Sequence, residues 1–308
     1  MTQTFFWIEE YLFYPKKLSQ KLLSYLFLPF TVFYCVVVIA KRTFSIPKDF
    51  ALPIVSIGNL TIGGNGKTPF TLALLRNKNN VAVILRGYKR KSSDLIEVKT
   101  NTPVQMCGDE ALLYAKSLPN CLVLVSKDRV QAIEYAKTKG VKAVFLDDAF
   151  HKHNIKKFDI LLKPSNEPTN PFCLPSGAYR EPKSLYKVAN IVATEDIDFK
   201  REVYIKNPTS KMVLVTAIAK PKRLDKYLPK DGSIIAKEYF KDHHFFSKQE
   251  LEKIVQKYDA TSLLVTTKDR VKMENFGLKL SVMELDIKID KKITQKVDDF
   301  IDNFANVG

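Results

Sequence analysis

The segment Gly63-Gly64-Asn65-Gly66-Lys67-Thr68 constrains the fold more than any other stretch of the chain. It follows the apolar run at 52–57, which reads as a strand, and precedes a helix start at 69–75, where Pro69 suits the first turn. Closely spaced glycines let backbone N–H groups turn inward around an anion. A lysine then reaches the outer phosphates, and a threonine hydroxyl suits Mg2+. The following helix directs its positive end at the same anion. The strict phosphate-loop pattern begins with Gly where this chain has Thr61, followed by Ile62. The groups that touch phosphate are nonetheless intact. Thr61, Ile62, Gly63, Gly64, Asn65, Gly66, Lys67 and Thr68 are therefore the candidate nucleotide contacts, with Lys67 the candidate catalytic cation and ATP the expected nucleotide.

The pattern continues as short apolar runs at 81–85, 122–125, 141–146, 160–162 and 188–193, alternating with helical spacing at 109–117 and 130–139. Continuous apolar strands alternating with helices predict an α/β fold, a parallel sheet with helices on both faces. Residues 164–182 are rich in Pro, Ser and Asn and read as a long functional loop. Residues 200–212 are basic and irregular and read as a boundary. A second, smaller α/β unit is expected beyond it, with strands at 213–217 and 263–266 and a helix at 247–258. Ser247 and Glu250 form a capping box at the start of that helix. The expected division is 1–48, 49–199 and 200–308.

Residues 22–40 carry no charge, and Pro29 within them is expected to kink or split a helix. Trp7, Tyr11, Phe13 and Tyr14 add interfacial aromatics upstream. The expectation is a membrane-associated N-terminal helix pair lying in one leaflet. Lys16, Lys17 and Lys21 on one side and Lys41, Arg42 and Lys48 on the other leave orientation open. The chain has 49 Lys and Arg against 33 Asp and Glu, a net charge of +16, which favours an anionic membrane surface or nucleotides. No aromatic-basic motif for nucleic acid is present, and none is expected as a partner. No obligate protein partner is evident. Cys35, Cys107, Cys121 and Cys173 form no C-x-x-C pair and read as reduced thiols.

The apolar run at 144–146 ends in Asp147 and Asp148, where a parallel sheet presents its Mg2+-holding acid. Thr68 joins them as a candidate metal ligand. His151 and His153 follow closely, and a transition-metal site ranks below Mg2+ there. Gly108-Asp109-Glu110 opens a helix, where acids also complement the dipole. Asp242-His243-His244 offers an acid and imidazoles suited to removing a hydroxyl proton, or an ordinary surface turn. Arg86 to Lys91 and Arg180-Glu181-Pro182 suit a phosphorylated substrate or lipid head groups.

These blocks, in this order, resemble the tetraacyldisaccharide 4′-kinase family of lipid A biosynthesis. The resemblance rests on the stretch from Ile57 to Pro69, then Arg86-Gly87-Tyr88, Gly108-Asp109-Glu110, Asp147-Asp148-Ala149-Phe150 and Leu174-Pro175-Ser176-Gly177. Arg180-Glu181-Pro182, Asp242-His243 and Thr267-Lys268-Asp269 complete it. The resemblance implies a P-loop kinase of two α/β/α units joined by a short β linker, with its site in the cleft. It implies work at the cytoplasmic face of the bacterial inner membrane on the lipid A disaccharide precursor, tetraacyldisaccharide 1-phosphate, giving lipid IVA. It also implies Asp109 as the base for the sugar hydroxyl, with His243 in support. The chain departs from the family at Ala149-Phe150-His151-Lys152, where the family has Gly-Phe-Gln-His, and at Thr267, where the family has Glu. The competing expectation is a membrane-tethered P-loop nucleotide switch that binds a protein partner. Thr267-Lys268-Asp269 is then a poor echo of the Asn-Lys-x-Asp base-reading stretch.

Overall fold

The computed structural model describes every residue except 1–2, 64–65, 89, 91, 93, 219–220 and 306–308. Gly64 and Asn65 of the glycine loop, and Lys89 and Lys91 of the basic cluster, lie outside the described residues. Three helices lead: α1 (Gln3–Phe13), α2 (Leu18–Leu26) and α3 (Leu28–Thr43). Pro29 sits in the first turn of α3, where its missing N–H leaves no bond unmade, so it opens a second helix. The α2–α3 pair bends by 52°; among the described residues no single helix is long and apolar enough to cross a membrane, though the pair together passes by length and composition.

The first sheet is built from β1 (Ile54–Gly58), α4 (Lys67–Leu75), β2 (Val81–Leu85), β3 (Ile96–Glu97), α5 (Val104–Cys107), α6 (Asp109–Ser117), β4 (Cys121–Val125), α7 (Arg129–Thr138), β5 (Ala143–Asp147), β6 (Phe158–Lys163) and β7 (Ile191–Thr194). Its strand order is β3-β4-β2-β5-β1-β6-β7, parallel except for β3 against β4. β1, β2 and β5 are buried at every position, as uninterrupted apolar runs require. The chain leaves β1 for β2 on one side, while β6 lies on the other, so the glycine loop opens at a switch point. The register pairs Ile57 with Asp147, which sets the acid beside the start of that loop.

The second sheet holds β8 (Phe199–Lys206), β9 (Met212–Thr216), β10 (Ile234–Tyr239), α8 (Lys248–Tyr258), β11 (Ser262–Thr266), α9 (Thr267–Met273) and β12 (Leu280–Ile289), followed by α10 (Lys291–Ala305). Its order is β10-β9-β11-β12-β8, with β8 antiparallel to β12. The stretch expected to be irregular is thus largely a strand. Phe199, Arg201, Val203 and Ile205 turn inward and Lys200, Glu202, Tyr204 and Lys206 outward. That period-2 alternation is hidden by charges on an edge strand. Ser247 caps α8 by accepting from Glu250 N at 3.2 Å. The Glu250 carboxylate turns to His244 Nε2 at 2.9 Å, so the reciprocal half of the capping box is not made.

Several contacts tie the units together, α4 against β12 and α6 against α9 among them. Phe199 of β8 packs edge-on against Phe70 of α4, with ring centres 5.2 Å apart. α10 returns across the molecule, burying Ile293 and Val297 in the core that holds Val55 and Phe70. Its Phe300 ring lies 4.7 Å from Phe158 of β6.

The 164–182 loop clamps the N-terminal helices. Asn170 Nδ2 donates to Ser24 Oγ at 3.1 Å and to Ser176 O at 2.7 Å. Ser24 Oγ also donates to Ser176 O, and Thr31 Oγ1 to Ser176 Oγ at 2.7 Å. All four residues are buried, so these bonds account for polar groups that would otherwise be stranded. A Cβ at Gly177 would meet Phe172 O at 2.3 Å, so the close turn there needs glycine.

Candidate active site

The carboxyl ends of β1 and β5 and the amino end of α4 meet in one cavity of about 1300 Å³. Gly63 and Gly66 have φ of +92° and +82°, the left-handed backbone that glycine adopts without strain. Gly66 is the N-cap of α4, so the open end of that helix faces the cavity. Thr61 is buried and bridges to Tyr179. The Ile62 N–H donates to Ala178 O at 2.8 Å. Its side chain packs near Tyr11 and Phe13 of α1.

Lys67 Nζ donates to Asn59 Oδ1 at 2.8 Å and lies 3.6 Å from Asp148 Oδ1. Arg180 holds Asp148 with two hydrogen bonds, at 3.2 and 2.9 Å, and donates to Asn59 Oδ1 at 2.7 Å. Asn59 thus fixes both cations, and Asp148 balances them. Burial opposes ionisation of Asp148, yet Lys67 and Arg180 hold its carboxyl well below the usual range.

Asp147 lies deeper. Its Oδ2 accepts from Tyr114 OH at 3.0 Å and faces Thr68 Oγ1 at 3.4 Å. Its buried Oδ1 has no hydrogen-bond partner among the described residues. Burial pushes this carboxyl up to about 7, with nearby Glu110 adding and Lys67 opposing. An orphaned buried carboxylate oxygen beside a hydroxyl, in an oxygen-only donor set, fits a hard cation such as Mg2+. His151 and His153 join Asp147 and Asp148 in no metal-binding group among the described residues.

Asp109 opens α6 on the facing wall and is 4% exposed. His243 Nδ1 donates to both of its oxygens, at 2.9 and 3.0 Å. His243 Nε2 stands 3.6 Å from Asp242 Oδ2, and the Tyr88 ring lies 5.3 Å from the imidazole. The two motifs are 134 residues apart in sequence and meet because β10 delivers the Asp242-His243 turn over α6. His243 has φ of +61°, an uncommon backbone for a non-glycine residue. Arg86, Lys127, Arg129, Lys152 and Arg180 line the same cavity, an electropositive wall for phosphates.

Three groups at or beside the site escape sequence reading. Asn59 lies inside the quoted Ile57 to Pro69 block, but its bridging of Lys67 to Arg180 depends on a contact across 121 residues. Tyr114 sits on a helix face that reads as core. Lys272 follows Lys268 by one turn, which spacing alone indicates, but what that face meets is not written in the sequence. In the structure Lys268 pairs with Glu110 at 3.2 Å, and Asp269 accepts from Thr216 and Thr266. Neither Lys268 nor Asp269 is arranged as a base-reading stretch, so the nucleotide-switch reading loses its recognition element.

A sequence profile of the family described as Tetraacyldisaccharide-1-P 4'-kinase matches residues 23–212 and 198–304. A protein of Aliarcobacter butzleri named Tetraacyldisaccharide 4'-kinase is 50% identical over 296 residues, covering 92% of this chain and 93% of its own length. A Helicobacter pylori protein of the same name is 46% identical over 287 residues, covering 92% and 91%. One from Campylobacter jejuni is 44% identical over 304 residues, covering 97% and 96%. The crystal structure of the "apo" form of LpxK from Aquifex aeolicus in complex with ATP shares the fold. Its TM-score is 0.74 at 24% identity, covering 92% of this chain and 99% of that one. Matches that run nearly end to end, over a chain whose Lys67, Asp109, Asp147 and His243 line one cavity, leave a single conclusion: the chain belongs to the tetraacyldisaccharide 4′-kinase family and is a kinase.

Proposed function

We propose that the chain transfers the γ-phosphoryl group of ATP to the 4′-hydroxyl of tetraacyldisaccharide 1-phosphate, the lipid A precursor, giving lipid IVA. The observation that carries this reading is the meeting, in one cavity, of Lys67 and Thr68 with Asp147 and Asp148 on one side and the His243-held Asp109 on the other.

The catalytic task is positioning and charge neutralisation around a loose transition state. The open end of α4 and the glycine-loop amides receive the nucleotide phosphates. Lys67, steadied by Asn59, meets the charge that spreads over the transferred group. Thr68, Asp147 and Asp148 would be the oxygen donors for Mg2+, which would supply charge neutralisation for the nucleotide phosphates. Asp109 accepts the proton of the sugar hydroxyl, with His243 fixing its direction. That hydroxyl turns acidic only as its bond to phosphorus forms, so a carboxylate of low proton affinity suffices.

The same reading gives the N-terminal segment a role at the cytoplasmic face of the inner membrane. α3 lines the cavity with Tyr34, Val37, Val38 and Lys41 while exposing Val32, Phe33 and Val36 on its other side. Acyl chains leaving the cavity along α3 stay in the bilayer, and the flanking lysines meet anionic head groups. Residues 1–48 thus serve the membrane and 49–199 the nucleotide. Residues 200–308 close the cleft, apart from α10, which supports the first sheet. The test is transfer of labelled phosphate from ATP to the disaccharide 1-phosphate in detergent. The parent chain forms a bisphosphorylated lipid and Lys67→Ala, still folded, forms none; near-normal transfer by Lys67→Ala overturns the reading.

A further inference from the structure

α9 belongs to the second sheet, yet two of its lysines reach the first unit. Lys268 Nζ lies 3.8 Å from Asp109 Oδ2, and Lys272 Nζ lies 3.8 Å from the same oxygen. Lys272 is the unusual one, because its side chain is only 1% exposed. A buried ammonium is costly unless it is paired. Its local partner is Asp269, whose Oδ1 is 2.8 Å away and whose Oδ2 accepts from Thr216 Oγ1, Thr266 Oγ1 and Ala217 N. Asp269 is wholly buried and locked on three sides, so it aims Lys272 rather than following it. The same ammonium stands 3.8 Å from Asp109 Oδ2, with the Phe246 ring centre 5.1 Å away.

We propose that Lys272, aimed by Asp269 and seconded by Lys268, is a positioning residue for phosphoryl transfer that keeps the Asp109 carboxylate ionised and oriented from across the cleft. This rests on the reading of Asp109 as the base.

The groups facing Asp109 come from every neighbouring element: Glu110 on α6, Cys107 on α5, His243 and Asp242 beyond β10, Tyr88 beyond β2, and Lys268, Asp269 and Lys272 on α9. Burial opposes ionisation of Asp109. The His243 hydrogen bond, Lys268 and Lys272 outweigh it and bring the carboxyl down to about 2.

Two variants test the proposal. Asp269→Asn/Lys272→Met removes both members of the buried pair and leaves no lone charge behind. Lys268→Met changes a side chain that is 21% exposed and stands as a second test that does not disturb the core. Each opposite charge at this range lowers a carboxyl by about one to three pH units. The triple combination therefore gives kcat/KM an acid limb above about pH 5 that the parent lacks, with activity returning as pH rises to 8 and ATP affinity by calorimetry unchanged. A triple variant that binds ATP normally and keeps the parental pH profile overturns the proposal, as does an unmoved profile in Lys268→Met with a folded, unmoved Asp269→Asn/Lys272→Met. Asp109→Asn in the parental background separates the two readings. If it retains turnover, the assignment of Asp109 as base fails; if it is inactive while the triple profile is unmoved, only the α9 inference fails.

Discussion

A double-mutant cycle on Asp109 and His243 separates a coupled pair from two independent residues. His243 Nδ1 bonds both carboxylate oxygens at 2.9 and 3.0 Å in a site where Asp109 is 4% exposed. Charge-assisted hydrogen bonds of this kind contribute about 1.5–3 kcal/mol. At about 1.36 kcal/mol per tenfold in rate, loss of the imidazole lowers kcat by about 10- to 150-fold. Removing a general base outright costs about 100- to 10,000-fold, the range set for Asp109→Asn. If His243 works only through Asp109, the double variant is no slower than Asp109→Asn alone. The assay is single-turnover transfer to the lipid at saturating ATP for the parent, Asp109→Asn, His243→Ala and the double variant, with ATP affinity measured in parallel. Losses that multiply across the cycle refute the coupling and assign His243 its own contact with substrate or phosphate.

Three further outcomes follow from separate parts of the molecule. Gly66→Ala places a Cβ 2.7 Å from Arg201 Nη2 at φ of +82°, a backbone that costs an L-residue about 1–2 kcal/mol; a lower melting temperature and about tenfold weaker ATP binding are expected, read by scanning fluorimetry and calorimetry. Burial raises Glu181 to about 7 against the opposing pull of Arg42, Arg180 and Lys157, whereas the unfolded chain releases that proton near about 4.3. The folded chain therefore binds more protons between these values, and its stability falls as pH rises through that window. Glu181→Gln lacks this slope, so urea titrations from pH 4.5 to 7.5 shift the difference by up to about 3 kcal/mol in favour of the variant. Phe33 and Val36 are 71% and 59% exposed on α3, and each apolar side chain inserted in a bilayer contributes about 1.5–3 kcal/mol. Phe33→Asp/Val36→Asp loses flotation with anionic liposomes while keeping its rate in detergent.

What the sequence discloses and what it withholds divide along the reach of the interactions. β2 and α6 fall at 81–85 and 109–117 as expected, because an unbroken apolar run and a helical repeat are local signals. The glycine loop between β1 and α4, Lys67 and Thr68 at the start of α4, and Asp147 at the end of β5 are legible because a parallel sheet puts its ligand groups at and just beyond its strand ends. β8 is misread because Arg201 on its inward face joins Lys200 and Glu202 in an unbroken charged run that masks the alternation. α10 carries Ile293, Val297, Phe300 and Ile301 at helical spacing, but no pattern says that this stripe crosses back to the first sheet. The 164–182 loop announces itself by composition, while its clamp on α2 and α3 depends on contacts between residues such as Thr31 and Ser176, 145 positions apart. The distant partners of Asp109, namely His243, Lys268 and Lys272, are assembled by tertiary structure alone.

The identity of the hydroxyl that gains the phosphate tests the central claim most directly. Phosphorus NMR of the lipid product, formed from tetraacyldisaccharide 1-phosphate with ATP and Mg2+, distinguishes a new monoester on the distal sugar from other outcomes. The account predicts one added monoester at the 4′ position, absent with Lys67→Ala and strongly reduced with Asp109→Asn. Free phosphate without lipid product, or a pyrophosphate at the 1 position, contradicts it.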